Sequence, residues 1–167
     1  MRFHEVLIKA AHNEKLEQIY ASAGYNQLFD LPLVARNIKC ANATGVNNIP
    51  IAQWNIAMMI NLARDLRGMI RNQEAGIWDR PARFQMDLTG KTVGIWGYGG
   101  IGRETARLAK TMSMKVHVLD LKMGPRPFMY TVEGTGDVEG VLPDKVFTPE
   151  QKKEFLGGWI FSCFRCR

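Results

Sequence analysis

Two apolar rhythms alternate along the second half of the chain. "TVGIW" at 92–96 is a continuous apolar run, entered through a tight Gly90-Lys91 turn, and predicts a strand buried on both faces. After the glycines of "GYGGIG", the stretch "RETARLAKTM" changes period and predicts a helix with Ala106, Leu108 and Ala109 inward. "KVHVLD" at 115–120 then predicts a second strand, parallel to the first. Upstream, "IAQWNIAMMINLARDLRGMIRNQ" predicts one long helix over 50–72, with Asn47 and Asn48 as caps and Pro50 in its first turn. Four of its turns are apolar almost all round, so it must be buried on more than one side, between two layers or in a subunit interface. Met58 and Met59 read as core filler.

The remaining segments are shorter. Residues 4–17 predict a helix, with Val6, Leu7, Ala10, Ala11 and Leu16 as its apolar face. A short strand and a Gly-containing turn at Ala23 to Asn26 follow, then a short helix in "LPLVARN" and a strand in "IKCANAT". Residues 76–91 read as a loop, and the Gly- and Pro-rich region 121–145 as a surface loop. Thr148-Pro149-Glu150-Gln151 has capping-box spacing and starts a short helix running to about Leu156.

The glycines between the first strand and its helix carry the chemistry. Gly97 permits a sharp turn out of the strand, Gly99 lets a pyrophosphate approach the backbone, and Gly102 lets the helix pack close to the sheet. The exposed amide hydrogens of the turn and the positive end of the helix face the phosphates, and Tyr98, Gly100 and Ile101 join the three glycines as expected cofactor-binding residues. Asp120 ends the next strand, 18 residues after Gly102. An acid there accepts hydrogen bonds from the adenosine ribose and repels a 2′-phosphate, which favours NAD. Lys122 and Arg126 nearby keep NADP open as the alternative. Strand, glycine turn and helix in this order are the first half of a doubly wound (Rossmann) parallel sheet, an α/β fold.

Composition narrows the function. The chain has 167 residues, 46% of them hydrophobic, enough for a sizeable core. Its net charge is +6, but the densest basic patch, "ARDLRGMIR" at 63–71, is broken by apolar residues and an acid. That is a solvated helix face, and nucleic acid is not an expected partner. The N-terminus lacks the apolar core of a signal peptide, and no stretch approaches the ~20 apolar residues of a spanning helix. A cytoplasmic protein without a membrane partner is expected. Three cysteines make no disulfide framework, and "CFRC" at Cys163 to Cys166 is accidental spacing. His4, His12 and His117 stand apart from one another, and His117 reads as a packed strand residue. No metal site is expected.

Three segments together, "SAGYNQLFDL", "GVNNIPIAQWNIAMMINLAR" and "DLTGKTVGIWGYGGIGRETARLAK", resemble the D-isomer-specific 2-hydroxyacid dehydrogenases. That family includes glyoxylate/hydroxypyruvate reductases, phosphoglycerate dehydrogenases and formate dehydrogenase. The resemblance runs from about Leu7 to Gly158. Gln53 stands where the family usually has Glu, and Ser113 where it often has Gly.

The resemblance implies part of a flavodoxin-like substrate domain over 1–48, entered partway through. It implies part of an NAD-binding domain over 49–158, with the long helix between the two. It further implies a homodimer that interconverts small 2-keto and D-2-hydroxy acids with NAD, the substrate carboxylate being received by backbone amides around Ala23 and Gly24. The Arg, His and carboxylate that perform the chemistry in the family lie beyond the fourth strand, so no catalytic residue is assigned here. An NAD-binding or partner-binding module without catalysis, or an inactive fragment of a gene, is the alternative. Residues 159–167, "WIFSCFRCR", depart from the family, although the apolar stretch could occupy the fourth-strand slot beside 92–96. Read one nucleotide earlier, their codons give an apolar string with Asp at its second place, forced by Trp159 and Ile160. That string resembles the family's next strand, and a frameshifted tail is expected.

Overall fold

The computed structural model describes residues 45–79, 85–121, 123–125 and 132–158, and the backbone of Phe161–Cys163. The chain divides into Met1–Val46 and Asn47–Arg167, and the second unit is the one described. The predicted elements over 4–44, the turn at Ala23 and Gly24, and the residues Lys122 and Arg126 lie outside the described residues.

The predicted strands form where the apolar runs place them. β1 (Thr92–Trp96) pairs in parallel with β2 (Lys115–Leu119), with Val93 opposite Val116 and Ile95 opposite Val118. These four side chains are fully buried on one face, beneath α3 (Gly100–Thr111). They join Ala106, Ala109, Met114 and Tyr98 in the main core. Residues of opposite parity, Trp96 and Leu119, turn to the other face. There they meet Phe147 and Phe155, whose rings pack edge-on at 5.5 Å between centroids. Both faces of the sheet are therefore covered, as continuous apolar strands require. Leu108, expected inward on α3, is only half-buried.

Two strands complete the sheet. β3 (Lys145–Phe147) begins at the last residue of the expected loop 121–145 and has no counterpart among the expected strands; its three residues are too few to print a period. Asp144 sets its register, because its amide donates to Val116 O at 2.8 Å and its carboxylate accepts the Val116 amide at 2.6 Å. A 3₁₀ turn (Pro149–Gln151) and α4 (Lys152–Leu156) follow, with the Thr148 amide donating to Gln151 Oε1 at 3.0 Å as the capping box requires. β4 (Phe161–Cys163) then pairs in parallel with β1, Gly94 facing Ser162, in the slot anticipated for "WIFSCF". The order is β3-β2-β1-β4, so the chain reverses direction across the sheet beside β1.

The expected single helix over 50–72 is two. α1 (Asn48–Ala63) ends at Arg64, and α2 (Leu66–Glu74) begins after Asp65, which adopts a left-handed φ of 47°. The Asp65 carboxylate accepts the Gly68 amide at 3.2 Å and caps the second helix. A Cβ at position 68 would lie 2.2 Å from that carboxylate, so the "D..G" spacing specifies the break. Asn47 precedes α1 without a side-chain cap bond, while Pro50 does fall in its first turn. Among the described residues α1 is buried along one face, through Ala52, Met59 and Ala63. Met59 enters the core and Met58 is half-buried, whereas Trp54 is 64% and Leu62 72% exposed.

Two residues generate stability predictions. Ser113, after α3, has a φ of 56°, a conformation that favours glycine. Ser113→Gly is expected to stabilise the protein by about 0.5–1 kcal/mol, read from urea unfolding midpoints. His117 packs 5.6 Å from the Phe147 ring, and its Nδ1 is buried with no hydrogen-bond partner among the described residues. Burial, followed by the Lys145 charge, pushes its pKa below the ordinary value. The unfolded chain therefore binds a proton that the native chain refuses, and stability falls as pH drops below about 6.5. His117→Leu is expected to flatten that fall, measured by thermal melting between pH 5 and 7.5; an unchanged slope refutes the assignment.

Candidate cofactor site

The site is built where β1 ends. Gly97 carries a φ of 95°, closed to other residues without strain, and its amide donates to Leu119 O at 2.8 Å. This turns the chain across the C-terminal end of β2. Gly99 is extended and caps α3 through its carbonyl, which accepts the Arg103 amide at 2.9 Å. Gly102 is the packing glycine: a Cβ there would lie 2.5 Å from the Gly97 carbonyl oxygen and 3.1 Å from Ile95 Cγ2. At Gly100 a Cβ would meet the Asn48 side chain instead. Ile101 is half-buried beside it.

Asp120 lies at the turn, as its place after β2 predicts. Its Oδ2 accepts the Tyr98 amide at 2.5 Å, and its Oδ1 accepts the Leu121 amide at 2.6 Å. The acid thereby holds the second residue of the glycine turn. Gly97, Tyr98, Gly99, Gly100, Ile101, Gly102 and Asp120 are thus brought together at one end of the sheet.

Sequence reasoning missed a buried polar network beside the turn. Tyr98 is fully buried, and its hydroxyl donates to Asp137 Oδ2 at 2.6 Å. Burial, then Asp137, drives the phenol pKa well above its ordinary value, so the hydroxyl remains a donor. Asp137 also accepts the amides of Gly140, Val141 and Leu142 at 3.1, 3.0 and 2.9 Å. Burial alone would raise its pKa, but these bonds hold it below the usual carboxylate range. Arg103 is 3% exposed and donates to the carbonyls of Tyr98, Asp137, Val138 and Gly124. Glu104 is 1% exposed, paired with Arg107 at 2.6 Å and accepting the Gly136 amide at 2.6 Å. Gly124 and residues 136–138 of the expected surface loop are therefore strapped to α3. The available signal was the charged pair directly after the last glycine, where an amphipathic helix should turn charge outward.

α1 runs beside α3 in the same direction. Asn48 lies against Gly100, and Asn55 Nδ2 donates to Thr105 Oγ1 at 3.1 Å one turn and more further on. Both helices thus begin at the glycine turn. A cleft of about 370 Å³, lined by Ile60, Ala63, Met86, Leu88 and Met112, opens at the opposite end of β1. Its polar feature is the exposed Arg64–Asp87 pair at 3.0 Å, and it takes no part in the turn. Among the described residues no helix is long and apolar enough to cross a membrane.

A glycine turn at the point where a parallel sheet reverses its strand order defines a doubly wound dinucleotide-binding domain. Residues 56–139 match the family described as D-isomer specific 2-hydroxyacid dehydrogenase, NAD binding domain, and the chain belongs to that family. It is 33% identical over 114 residues to D-3-phosphoglycerate dehydrogenase of Archaeoglobus fulgidus, covering 68% of this chain and 21% of that one. It is 27% identical over 147 residues to glyoxylate reductase of Thermofilum pendens, covering 85% of this chain and 40% of the relative. In fold it resembles an NADPH-dependent glyoxylate/hydroxypyruvate reductase from Sinorhizobium meliloti, solved with NADP and sulfate. That likeness has a TM-score of 0.61 at 19% identity and covers 85% of this chain and 40% of that one. The chain therefore spans well under half the length of these relatives.

The two helical glycines of the turn should tolerate a methyl group differently. Gly102→Ala is expected to cost about 2–3 kcal/mol, because the methyl meets backbone. Gly100→Ala should cost less than half of that, since the Asn48 side chain can turn away. Chemical denaturation of the two variants checks the order.

Proposed function

We propose that this chain is the cofactor-binding part of an oxidoreductase that interconverts 2-keto acids and D-2-hydroxy acids by hydride transfer, with NAD preferred over NADP. The observation carrying the reading is the Gly97–Gly102 turn with the Asp120 carboxylate fixed on the Tyr98 amide. Amides of Gly99, Gly100, Ile101 and Gly102 would receive the pyrophosphate, while those of Gly97 and Tyr98, bound to Leu119 O and Asp120 Oδ2, shape the turn. Asp120 receives the adenosine ribose, and its charge disfavours a 2′-phosphate. The cofactor supplies hydride chemistry when bound; this chain's residues bind and orient its adenosine end.

The same reading divides the chain into substrate-domain residues 1–48, cofactor-domain residues 49–158 and a frameshifted tail, 159–167. Amides around Ala23 and Gly24 would receive a small 2-keto acid. The protein would work in the cytoplasm as a homodimer, and the exposed Trp54 and Leu62 of α1 support a dimer face there.

Calorimetric titration tests the cofactor preference. NADH is expected to bind at least about tenfold more tightly than NADPH, and Asp120→Ala to narrow that ratio chiefly by weakening NADH. Equal affinities, or tighter NADPH, would sink the assignment.

A further inference from the structure

Arg103 occupies the first turn of α3, where a cation could reach a bound pyrophosphate. Its guanidinium goes elsewhere. Nε donates to Tyr98 O at 3.1 Å, one terminal nitrogen to Asp137 O and Val138 O, and the other to Gly124 O at 2.6 Å. Its charge also lies over the Tyr98 ring, 5.0 Å from the centroid. At 3% exposure this is an internal brace. It joins the glycine turn to the segment just after Asp120, through Gly124, and to the loop before β3, through Asp137 and Val138. Tyr98 closes the brace by donating its hydroxyl to the Asp137 carboxylate. The Asp137 carboxylate in turn gathers the Gly140, Val141 and Leu142 amides.

We propose that Arg103, with Tyr98 and Asp137, is a positioning residue that sets the adenosine-ribose end of the site and makes no contact with the phosphates. The proposal rests on the cofactor reading above. Its physical content is rigidity: the Tyr98 amide holds Asp120, and Arg103 holds the Tyr98 carbonyl and the chain leaving Asp120. Loosening the brace lets the ribose acceptor and the turn shift relative to each other. The phosphates are then met by main-chain dipoles, and the cation's role is geometric.

The test measures binding of AMP, ADP-ribose and NADH to the full chain by calorimetry at low and high salt. The variants are Arg103→Lys, Arg103→Met and Tyr98→Phe, each checked for folding by circular dichroism. Lysine keeps the charge but cannot span four carbonyls. Arg103→Lys and Arg103→Met are expected to lose affinity alike, about tenfold for AMP and ADP-ribose, at both salt concentrations. Tyr98→Phe removes no charge and should lose about threefold. The proposal is overturned if Arg103→Lys binds as the parent does while Arg103→Met loses more for ADP-ribose than AMP, a loss that salt erases. It is equally overturned if Tyr98→Phe leaves all affinities unchanged. Should Arg103→Lys fail to fold, Tyr98→Phe decides. If the parent chain binds none of the three ligands, the cofactor reading fails by itself. Hydrogen exchange then decides the brace: faster exchange at the Gly140 to Leu142 amides in Tyr98→Phe upholds it, and unchanged exchange overturns it.

Discussion

Tyr98 is the residue on which the architecture of the turn depends. Its amide is held by Asp120, its carbonyl by Arg103 and its hydroxyl by Asp137. Each tie matters because the residue is fully buried, and an unpaired polar group there costs about 1–3 kcal/mol. The three partners come from three places, the end of β2, the first turn of α3 and the loop before β3. One residue, through main chain and side chain together, thus fixes the mutual placement of segments up to 39 positions apart. The positive φ of Gly97 makes this possible, by turning the chain so that Tyr98 enters the core instead of solvent.

The two-faced sheet places that turn where the strand order reverses. α3 and α1 cover one face and α4 the other, and β2 and β4 flank β1 on its two sides. Because α1 parallels α3, two helix starts lie at the same edge. Each carries roughly half a positive charge from its unpaired amides, so an anion at the turn is attracted by both. The exposed Trp54 and Leu62 face away from this arrangement, since the buried line of α1 runs through Ala52, Met59 and Ala63.

Legibility of the fold in the sequence followed the strength of local constraint. β1, β2 and α3 were readable because a buried strand must be apolar throughout and a covering helix must repeat its apolar positions. The turn was readable because Gly97 and Gly102 are required by a backbone angle and a 2.5 Å backbone approach. The break at Asp65 was hidden because Leu66, Met69 and Ile70 keep a helical spacing beyond it; the Asp65–Gly68 cap specified two helices. β3 was too short to show a pattern, its place being set by Asp144, a contact across the sheet. The Tyr98–Arg103–Asp137 network was illegible for a related reason. Charged residues are read as solvated by default, and what buries Arg103 is a loop with no periodicity of its own.

The same network explains why net charge says little about this site. The formal +6 suggests cations available to phosphate. Along α3 and its neighbours they are committed to the protein: Arg103 to four carbonyls, Arg107 to Glu104, Lys110 to Asp144 and Lys145 to Glu154. On the proposed reading, an anion reaching the glycine turn would meet the amide dipoles at the start of α3, oriented by glycine geometry and fixed before it arrives. Dipoles held in place need no reorganisation on binding, whereas a flexible lysine must surrender its freedom. The information for the site accordingly resides in the spacing of glycines and in the acid at the end of β2. A basic patch is a poor guide to such a site: among the described residues Arg103, in the helix turn that follows the glycines, is bound to main-chain carbonyls.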